Sequence, residues 1–230
     1  MVDNIVNKIL GGKTNCTSEY VDSIYRQVET YIDYSALPLR YLVEGIDTHK
    51  DTLPKFNNLS EHIIDIIHHN KSCLAWVNDF GQSGYIAANF IAKYLVTAMI
   101  TDEHPKSILY VDTNLLLEDY KKLMNESYSE FSPKIVHRKE ILYRDIQEAD
   151  FVFWDKFNFI ETNFETNKIY EIISVRYRNC LGNLFFGKGA TEKELFGNID
   201  VEMLNVMAVQ KCMCDLRNET YPIVEWEESQ

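Results

Sequence analysis

Cys73-Leu74-Ala75-Trp76-Val77 is a short apolar run, and a polar stretch with two glycines follows it at 78–84. The next segment, 85–99, is again mostly apolar. This order predicts a buried strand, a loop and a helix. A nucleotide-binding α/β protein places its phosphate loop in such a unit. An ordinary connection between a strand and a helix has the same pattern, and both interpretations stay open.

Apolar runs and helical patterns alternate along the rest of the chain. Further strands are predicted at 107–112, 149–155 and 184–186, and further helices at 114–125, 169–178 and 199–216. The run Phe151-Val152-Phe153-Trp154 is apolar at each position, as in strands that helices cover on both faces. Because alternating strands and helices form mostly parallel sheets, we predict an α/β fold with a mostly parallel sheet flanked by helices.

The N-terminal segment has a pattern of its own. Residues 1–36 are predicted to be a helical extension, and residues 37–230 the main domain. The extension has apolar positions at helical spacing: Val21, Ile24, Val28 and Ile32. An amphipathic helix outside a domain often docks into a groove of a partner, so we expect the extension to bind another protein.

The composition is that of a globular protein, since 46% of the 230 residues are apolar and 25% are charged. Binding to DNA relies on clustered cations, so the net charge of −12 makes single-stranded DNA a weak candidate partner. The start of the sequence predicts no signal peptide, and we expect the five cysteines to be reduced thiols. The apolar run 85–100 is interrupted by Asn89 and Lys93. These features predict a cytoplasmic protein outside the membrane.

The stretch 78–84 lacks residues that a phosphate loop needs. Such a loop uses glycines, a Lys for the β- and γ-phosphates and a Ser or Thr for Mg²⁺, but this stretch contains no Lys. Aligning Ile86-Ala87 with the start of the helix puts Ser83 at the Lys position and Gly84 at the Ser/Thr position. Backbone N–H groups can still bind phosphate. The candidate nucleotide-binding residues are Asn78, Gly81, Ser83 and Gly84.

The run 150–155 is an apolar strand that ends in Asp155. This pattern is typical of a Walker B strand, in which the Asp orients Mg²⁺. The next residue should be an acid that activates water, but it is Lys156, a cation that cannot act as the base and would oppose Mg²⁺. Asp155 is the metal ligand if Mg²⁺ binds. The alternative is a helix cap or a surface acid.

A third group of sequence features lies at 168–195. A helix ends in Arg176-Tyr177-Arg178, and a turn, an apolar strand and an acidic helix start follow. With Leu37-Pro38-Leu39-Arg40-Tyr41 and Ile108-Leu109-Tyr110-Val111-Asp112, this order resembles the ATPase domain of the bacterial replicative helicase loaders, the DnaC/DnaI group within the AAA+ ATPases. The resemblance extends over 37–226 and implies a P-loop NTPase fold.

The resemblance also implies roles for single residues. Asp155 falls on the Walker B Asp, and Arg176 on an arginine that in this family acts on the nucleotide of a neighbouring subunit. Arg178 is close enough to replace it. Four features depart from the family pattern: the loop Lys, the second Walker B acid, the sensor 1 residue, where this chain has Gly187-Lys188, and the sensor 2 arginine. ATP or ADP and Mg²⁺ remain candidate cofactors, and Asp155 and Arg176 are catalytic remnants.

The function that the resemblance implies is that of a DNA-replication factor. We expect a degenerate loader, encoded by a phage or another mobile element, that binds a replicative helicase or a genuine loader and hydrolyses no ATP. Two alternatives stay open. The chain is an active but divergent ATPase loader, or it is an inhibitor that mimics the surface of a loader. Each of these functions is compatible with an oligomer.

Overall fold

The computed structural model describes residues 18–38, 40–41, 64–77, 80–101, 103–129, 143–157, 163–188, 212–215 and 224–225. The helices are α1 (Ser18–Tyr34), α2 (Phe80–Ile100), α3 (Thr113–Ser129) and α4 (Asn163–Arg178). The strands are β1 (Ser72–Trp76), β2 (Ile108–Asp112), β3 (Phe151–Asp155), β4 (Gly182–Gly187), β5 (Cys212–Asp215) and β6 (Val224–Glu225). Residues 64–68 and 143–148 form short helical segments.

The six strands form one sheet in the order β2-β3-β4-β1-β5-β6. The pairs β2–β3, β3–β4, β4–β1 and β1–β5 are parallel, and only β6 runs antiparallel to its neighbour. Parallel neighbours need long crossover connections, which the helices between the first four strands provide. The predicted α/β fold, with a mostly parallel sheet flanked by helices, is confirmed.

Helices cover both faces of the sheet. Side chains of a strand point alternately to opposite faces, so Cys73 and Ala75 of β1 lie in the cluster that contains the apolar side of α2. Leu74, between them, lies in the cluster of α3 and α4. Because all five residues of β3 are buried, its continuous apolar run is explained by burial on two sides.

Helix α1 packs against the same face as α2. Ile24, Val28 and Ile32 are each at most 3% exposed, and they share one core cluster with Leu37 and Tyr41, two residues that follow the predicted boundary. The apolar side of α1 is therefore covered by its own domain. This corrects the interpretation of residues 18–34 as a segment that docks on a partner. Residues 1–17 lie outside the described part of the chain.

Two predicted elements differ in the structure. Helix α2 begins at Phe80 rather than near residue 85, so three predicted loop residues, Gly81, Ser83 and Gly84, lie in its first turns. The predicted helix 199–216 is wrong at its end, because Cys212–Asp215 is a strand that pairs in parallel with β1. The segment is a strand because it pairs with β1, which lies far away in the sequence. Residues 199–211 lie outside the described part.

The outer edge of the sheet is covered at β2. The backbone N–H of Tyr110 donates to the carbonyl oxygen of Ser35 at 2.7 Å, and Ser35 directly follows α1. The turn after α1 therefore also covers part of the edge strand β2. In the described residues no helix has both the length and the apolar character needed to cross a membrane.

Candidate functional site

The candidate site lies at the carboxyl edge of the sheet. Asp155 is the last residue of β3, and Ser83 lies in the first turn of α2. Parallel strands place their carboxyl ends at one edge, which is where open α/β sheets bind ligands. The side chains of Phe151 and Phe153 point towards α2, and the alternation along β3 sends Asp155 to the same face.

The carboxylate of Asp155 accepts three hydrogen bonds. Ser83 Oγ donates to Oδ1 at 2.5 Å, the backbone N–H of Lys156 donates to Oδ1 at 2.9 Å, and the hydroxyl of Tyr110 donates to Oδ2. Asp155 and Ser83 have no exposed surface. Burial raises the pKa of Asp155 above its ordinary value, and the three hydrogen bonds oppose this shift. The site is therefore a buried carboxylate held by neutral donors.

The bond between Ser83 and Asp155 bears on how the stretch 78–84 aligns with a phosphate loop. In P-loop NTPases the Ser or Thr of the loop and the Walker B Asp hold Mg²⁺ together. Ser83 has this position relative to Asp155, so Gly81-Gln82-Ser83 matches Gly-Lys-Ser/Thr. The structure thus favours a register one residue earlier than the predicted one. In that register Gln82, not Ser83, would stand at the Lys position, and the hydroxyl of Ser83 would stand at the Ser/Thr position.

Tyr41 packs directly on the start of α2. A Cβ atom added to Gly84 would lie 2.2 Å from the Tyr41 ring, so only a glycine allows this contact. The ring also meets Tyr85 edge-on, at 4.9 Å between centroids, and lies 6.1 Å from the ring of Tyr110. Arg40 stacks on Tyr41, with its guanidinium 4.6 Å from the ring centroid. Three tyrosines therefore line the side of the site nearest α2.

Lys156 has an unusual backbone conformation, with φ at 55°. Its Nζ donates to Asp112 Oδ2 at 2.5 Å, at the end of the neighbouring strand β2. The other oxygen of Asp112 accepts the N–H groups of Asn114 and Leu115 and so caps α3. The cation at the second Walker B position is thus paired with a carboxylate.

Arg176 lies away from this site, in the interior of the protein. Its Nε donates to Asn183 Oδ1 at 2.7 Å. Its terminal nitrogens donate to the carbonyl oxygens of Ile146, Ala149 and Gly182 at 2.6, 2.7 and 2.6 Å. Arg176 has no exposed surface, and burial lowers its pKa to about 9, which leaves it protonated at neutral pH. This geometry corrects the interpretation of Arg176 as a residue that reaches a neighbouring subunit.

The remaining predicted residues are placed as follows. Asn78 lies outside the described residues. Arg178 is exposed at the end of α4 and donates to the carbonyl of Ser174. Strand β4 ends at Gly187 with a buried backbone, and Lys188 after it is exposed. In the described part of the chain no group of His, Cys, Asp and Glu side chains is arranged to hold a metal ion.

Four residues of this site were not among the candidate site residues predicted from the sequence: Tyr41, Gln82, Tyr110 and Asp112. One of them had a visible signal, because Gly81-Gln82-Ser83 differs from Gly-Lys-Ser at one position. The other three are brought to Asp155 and Lys156 by packing between distant segments, which a single sequence does not reveal.

Fold and site together define an α/β protein with a buried serine–aspartate pair at the carboxyl edge of a mostly parallel sheet. The solved structures that are similar to the chain include the following two. One is a structure of DnaI, with 16% sequence identity and a TM-score of 0.47, covering 72% of this chain and 80% of that chain. The other is a structure of the DnaC helicase loader, with 15% identity and a TM-score of 0.43, covering 66% and 81%. No protein-family model and no curated protein sequence matches the chain.

Proposed function

We propose that this protein is a loader-like factor of DNA replication that binds a replicative helicase or a helicase loader and hydrolyses no ATP. The observation that carries the proposal is the bond from Ser83 to Asp155, 2.5 Å long. It joins the start of α2 to the end of β3 as in a P-loop NTPase, while the chain lacks the charges of catalysis. The motif resemblance of 37–41, 108–112 and 150–155 to the helicase loaders supports the replication role.

Two substitutions remove the groups that phosphoryl transfer needs. Gln82 is neutral and cannot stabilise the charge of the β- and γ-phosphates as the loop Lys does. Lys156 cannot accept a proton from water in the position of the catalytic acid. Because electrostatic stabilisation and water positioning supply most of the rate enhancement in phosphoryl transfer, both losses together predict negligible turnover.

The site fits Mg²⁺ poorly. Ser83 and Asp155 are the residues that would hold the ion, and Mg²⁺ would supply charge neutralisation for phosphates. However, Asp155 already accepts three hydrogen bonds. The ammonium group of Lys156, on the next residue, would repel a divalent cation. We therefore assign no reaction step to a metal.

The hydrolysis part of the proposal is tested with the full chain, MgATP and a sensitive phosphate assay. The expected result is turnover no higher than that of Asp155→Asn, which removes the carboxylate and keeps its size. Turnover that is clearly above this variant would favour the alternative of an active, divergent ATPase.

The partner is tested by pull-down with the purified replicative helicase and helicase loader of the genome that encodes this chain. We expect a stable complex with at least one of them. A complex that supports loading of the helicase onto single-stranded DNA agrees with the proposal, and a complex that only blocks the genuine loader identifies an inhibitor. Absence of both complexes contradicts the replication role.

Arg178 is the arginine to test in such a complex. It is exposed, whereas Arg176 is buried, so an arginine contributed to an active neighbour would be Arg178. Such a residue accelerates hydrolysis by about 10³–10⁵-fold in related systems. The ATPase rate of a genuine loader is measured with wild-type protein and with Arg178→Ala; equal rates within a demonstrated complex would exclude this role.

A further inference from the structure

Lys156 lies next to the start of α2 and has an unfavourable backbone conformation. Its φ of 55° lies in the left-handed region, which residues other than glycine rarely adopt. The N–H of Lys156 donates to the same oxygen of Asp155 that accepts the hydroxyl of Ser83. One carboxylate oxygen therefore links the backbone of Lys156 to the first turn of α2, where a phosphate loop would meet its ligand.

The ammonium group of Lys156 is bound to an internal anion. The distance from Nζ to Asp112 Oδ2 is 2.5 Å, and the two side chains are 32% and 16% exposed. The surface pair of Lys71 and Asp65, by comparison, is 3.2 Å long, with side chains 51% and 49% exposed. Asp112 is fixed because it also caps α3, whereas the lysine chain has four rotatable bonds.

The ammonium group of Lys156 is charged at neutral pH, because the ordinary pKa of lysine is about 10.4 and its partner Asp112 is a carboxylate at hydrogen-bond distance. It carries positive charge at an edge of an otherwise acidic protein, whose net charge is −12.

In nucleotide-binding α/β proteins a metal ion is the usual source of positive charge at this edge. In this chain the ammonium group of Lys156 is a positive charge at the same edge. The carboxylate that would bind the ion is occupied by donors from Ser83, Tyr110 and Lys156. Arg40, stacked on Tyr41 beside α2, adds a second cation on that side. Phosphate groups bind well where a helix start and fixed cations come together.

We propose that Lys156 is the cation of an anion-binding site at the carboxyl edge of the sheet, which takes a phosphate-bearing ligand without a metal ion. In the ligand-free protein Lys156 is paired with Asp112, and the ligand's phosphate replaces Asp112 as the partner of the lysine, which rotates away from the fixed carboxylate. The proposal deepens the proposed degenerate nucleotide site and rests on its geometry. It assigns to Lys156 the charge that a phosphate-loop lysine would supply, since position 82 is a neutral glutamine.

The test is isothermal titration calorimetry of the full chain in buffer with EDTA, using ATP and inorganic tripolyphosphate as probes. Asp112→Asn removes the competing charge and keeps an N-cap for α3, so we expect both probes to bind about tenfold more tightly than to wild type. Lys156→Met should weaken binding about tenfold or more, because a charge-assisted bond to phosphate is lost. Lys156→Arg keeps the charge and should keep most of the affinity.

The matched controls are Asp65→Asn and Lys71→Met. They make the same changes of charge at an exposed ion pair that precedes β1, at the opposite edge of the sheet, and should alter affinity by less than about twofold. Thermal melts followed by circular dichroism confirm that each variant is folded. Tighter binding of ATP than of tripolyphosphate shows that the nucleoside is also bound; equal affinities show a site for phosphate alone. Both results support the proposal when they depend on Lys156.

Three results would overturn the inference: equal effects of Asp112→Asn and Asp65→Asn, no effect of Lys156→Met, or no binding of either probe to the Asp112→Asn protein at millimolar concentration. The outcome is distinguishable from a failure of the replication role. Loss of the Lys156 effect with an intact helicase or loader complex overturns this inference alone. Loss of the complex with intact Lys156-dependent binding overturns the replication role alone.

Discussion

Asp155 and Arg176 are both buried charges without exposed surface, but they have different partners. The partners of Asp155 are two side-chain hydroxyls and one N–H from α2, β2 and the turn after β3. The partners of Arg176 are three main-chain carbonyls and one amide oxygen at the opposite edge of the sheet. The same resemblance gave both residues catalytic roles, and the structure separates them.

The difference lies in what each set of partners can do. Arg176 binds main-chain carbonyls, which no side-chain substitution removes. Through these bonds it holds in place the segment before β3 and the start of β4. Hydroxyl groups can rotate and exchange one acceptor for another, so the partners of Asp155 allow a change of state when a ligand binds. The contacts of Arg176 therefore maintain the fold, whereas Asp155 lies in the candidate site.

The largest effect should come from Arg176→Met. It leaves three main-chain carbonyls without this donor, and Asn183 Oδ1 keeps the Trp154 indole N–H. Because an unsatisfied buried acceptor costs about 1–3 kcal/mol, the three together predict a loss of about 3 kcal/mol or more. Urea denaturation should show this loss in the free energy of unfolding. Arg176→Lys should recover only part of it, because an ammonium group cannot reproduce the planar fork of donors. Near wild-type stability of both variants would contradict the structural role.

Gly84→Ala should have the next largest effect. Its Cβ would lie 2.2 Å from the ring of Tyr41, and such overpacking costs about 1–3 kcal/mol, which exceeds the better helix propensity of Ala. The exposed Gly81, in the same helix, gives the control Gly81→Ala, with a change within about 0.5 kcal/mol. In a Tyr41→Ala background the cost of Gly84→Ala should disappear; a cost that persists would place the clash elsewhere.

Ser83→Ala tests the link between α2 and β3. It removes one of three donors to a buried carboxylate, and an unsatisfied buried acceptor costs about 1–3 kcal/mol. Tyr110→Phe removes a second donor, and its effect should not be additive with that of Ser83→Ala, because both act on Asp155. A double-mutant cycle of unfolding free energies measures the coupling. Strict additivity would mean that the hydroxyls do not share the carboxylate.

The smallest effect concerns pH. The folded-state pKa of Asp155 is raised, so the unfolded chain releases this proton at lower pH than the folded protein. Its contribution to stability is fully present below the ordinary Asp pKa and is lost as pH rises through the raised pKa. The slope is at most about 1.4 kcal/mol per pH unit for one proton. Asp155→Asn should abolish this loss, as unfolding measured from acidic to neutral pH will show; an unchanged slope would assign it to other groups.

The strands were predictable from the sequence because burial on two faces leaves a plain apolar run, as in β3. Helix α2 was predicted too short, because Phe80-Gly81-Gln82-Ser83 has the composition of a loop and its helical state depends on packing with Tyr41 and Asp155. Strand β5 was not predicted, since its pairing with β1 is a contact between residues more than a hundred positions apart.

The candidate site was predictable only in outline. Asp155 stands out as an acid after an apolar strand, and the lack of a loop Lys is visible directly. The burial of Arg176 has no signal in the sequence, because arginines are mostly exposed and its acceptors are carbonyls that every residue has. Lys156 pairs with Asp112 because β2 and β3 are neighbours in the sheet, and the sequence does not give the order of the strands.

The bond from Tyr110 N–H to the carbonyl of Ser35 has a consequence for how copies of this protein meet. An open edge strand offers its unpaired N–H groups to strands of other molecules, which leads to aggregation. The turn after α1 satisfies one of these groups in the middle of β2. Pairing of β2 with a strand of another molecule is thereby obstructed at this position.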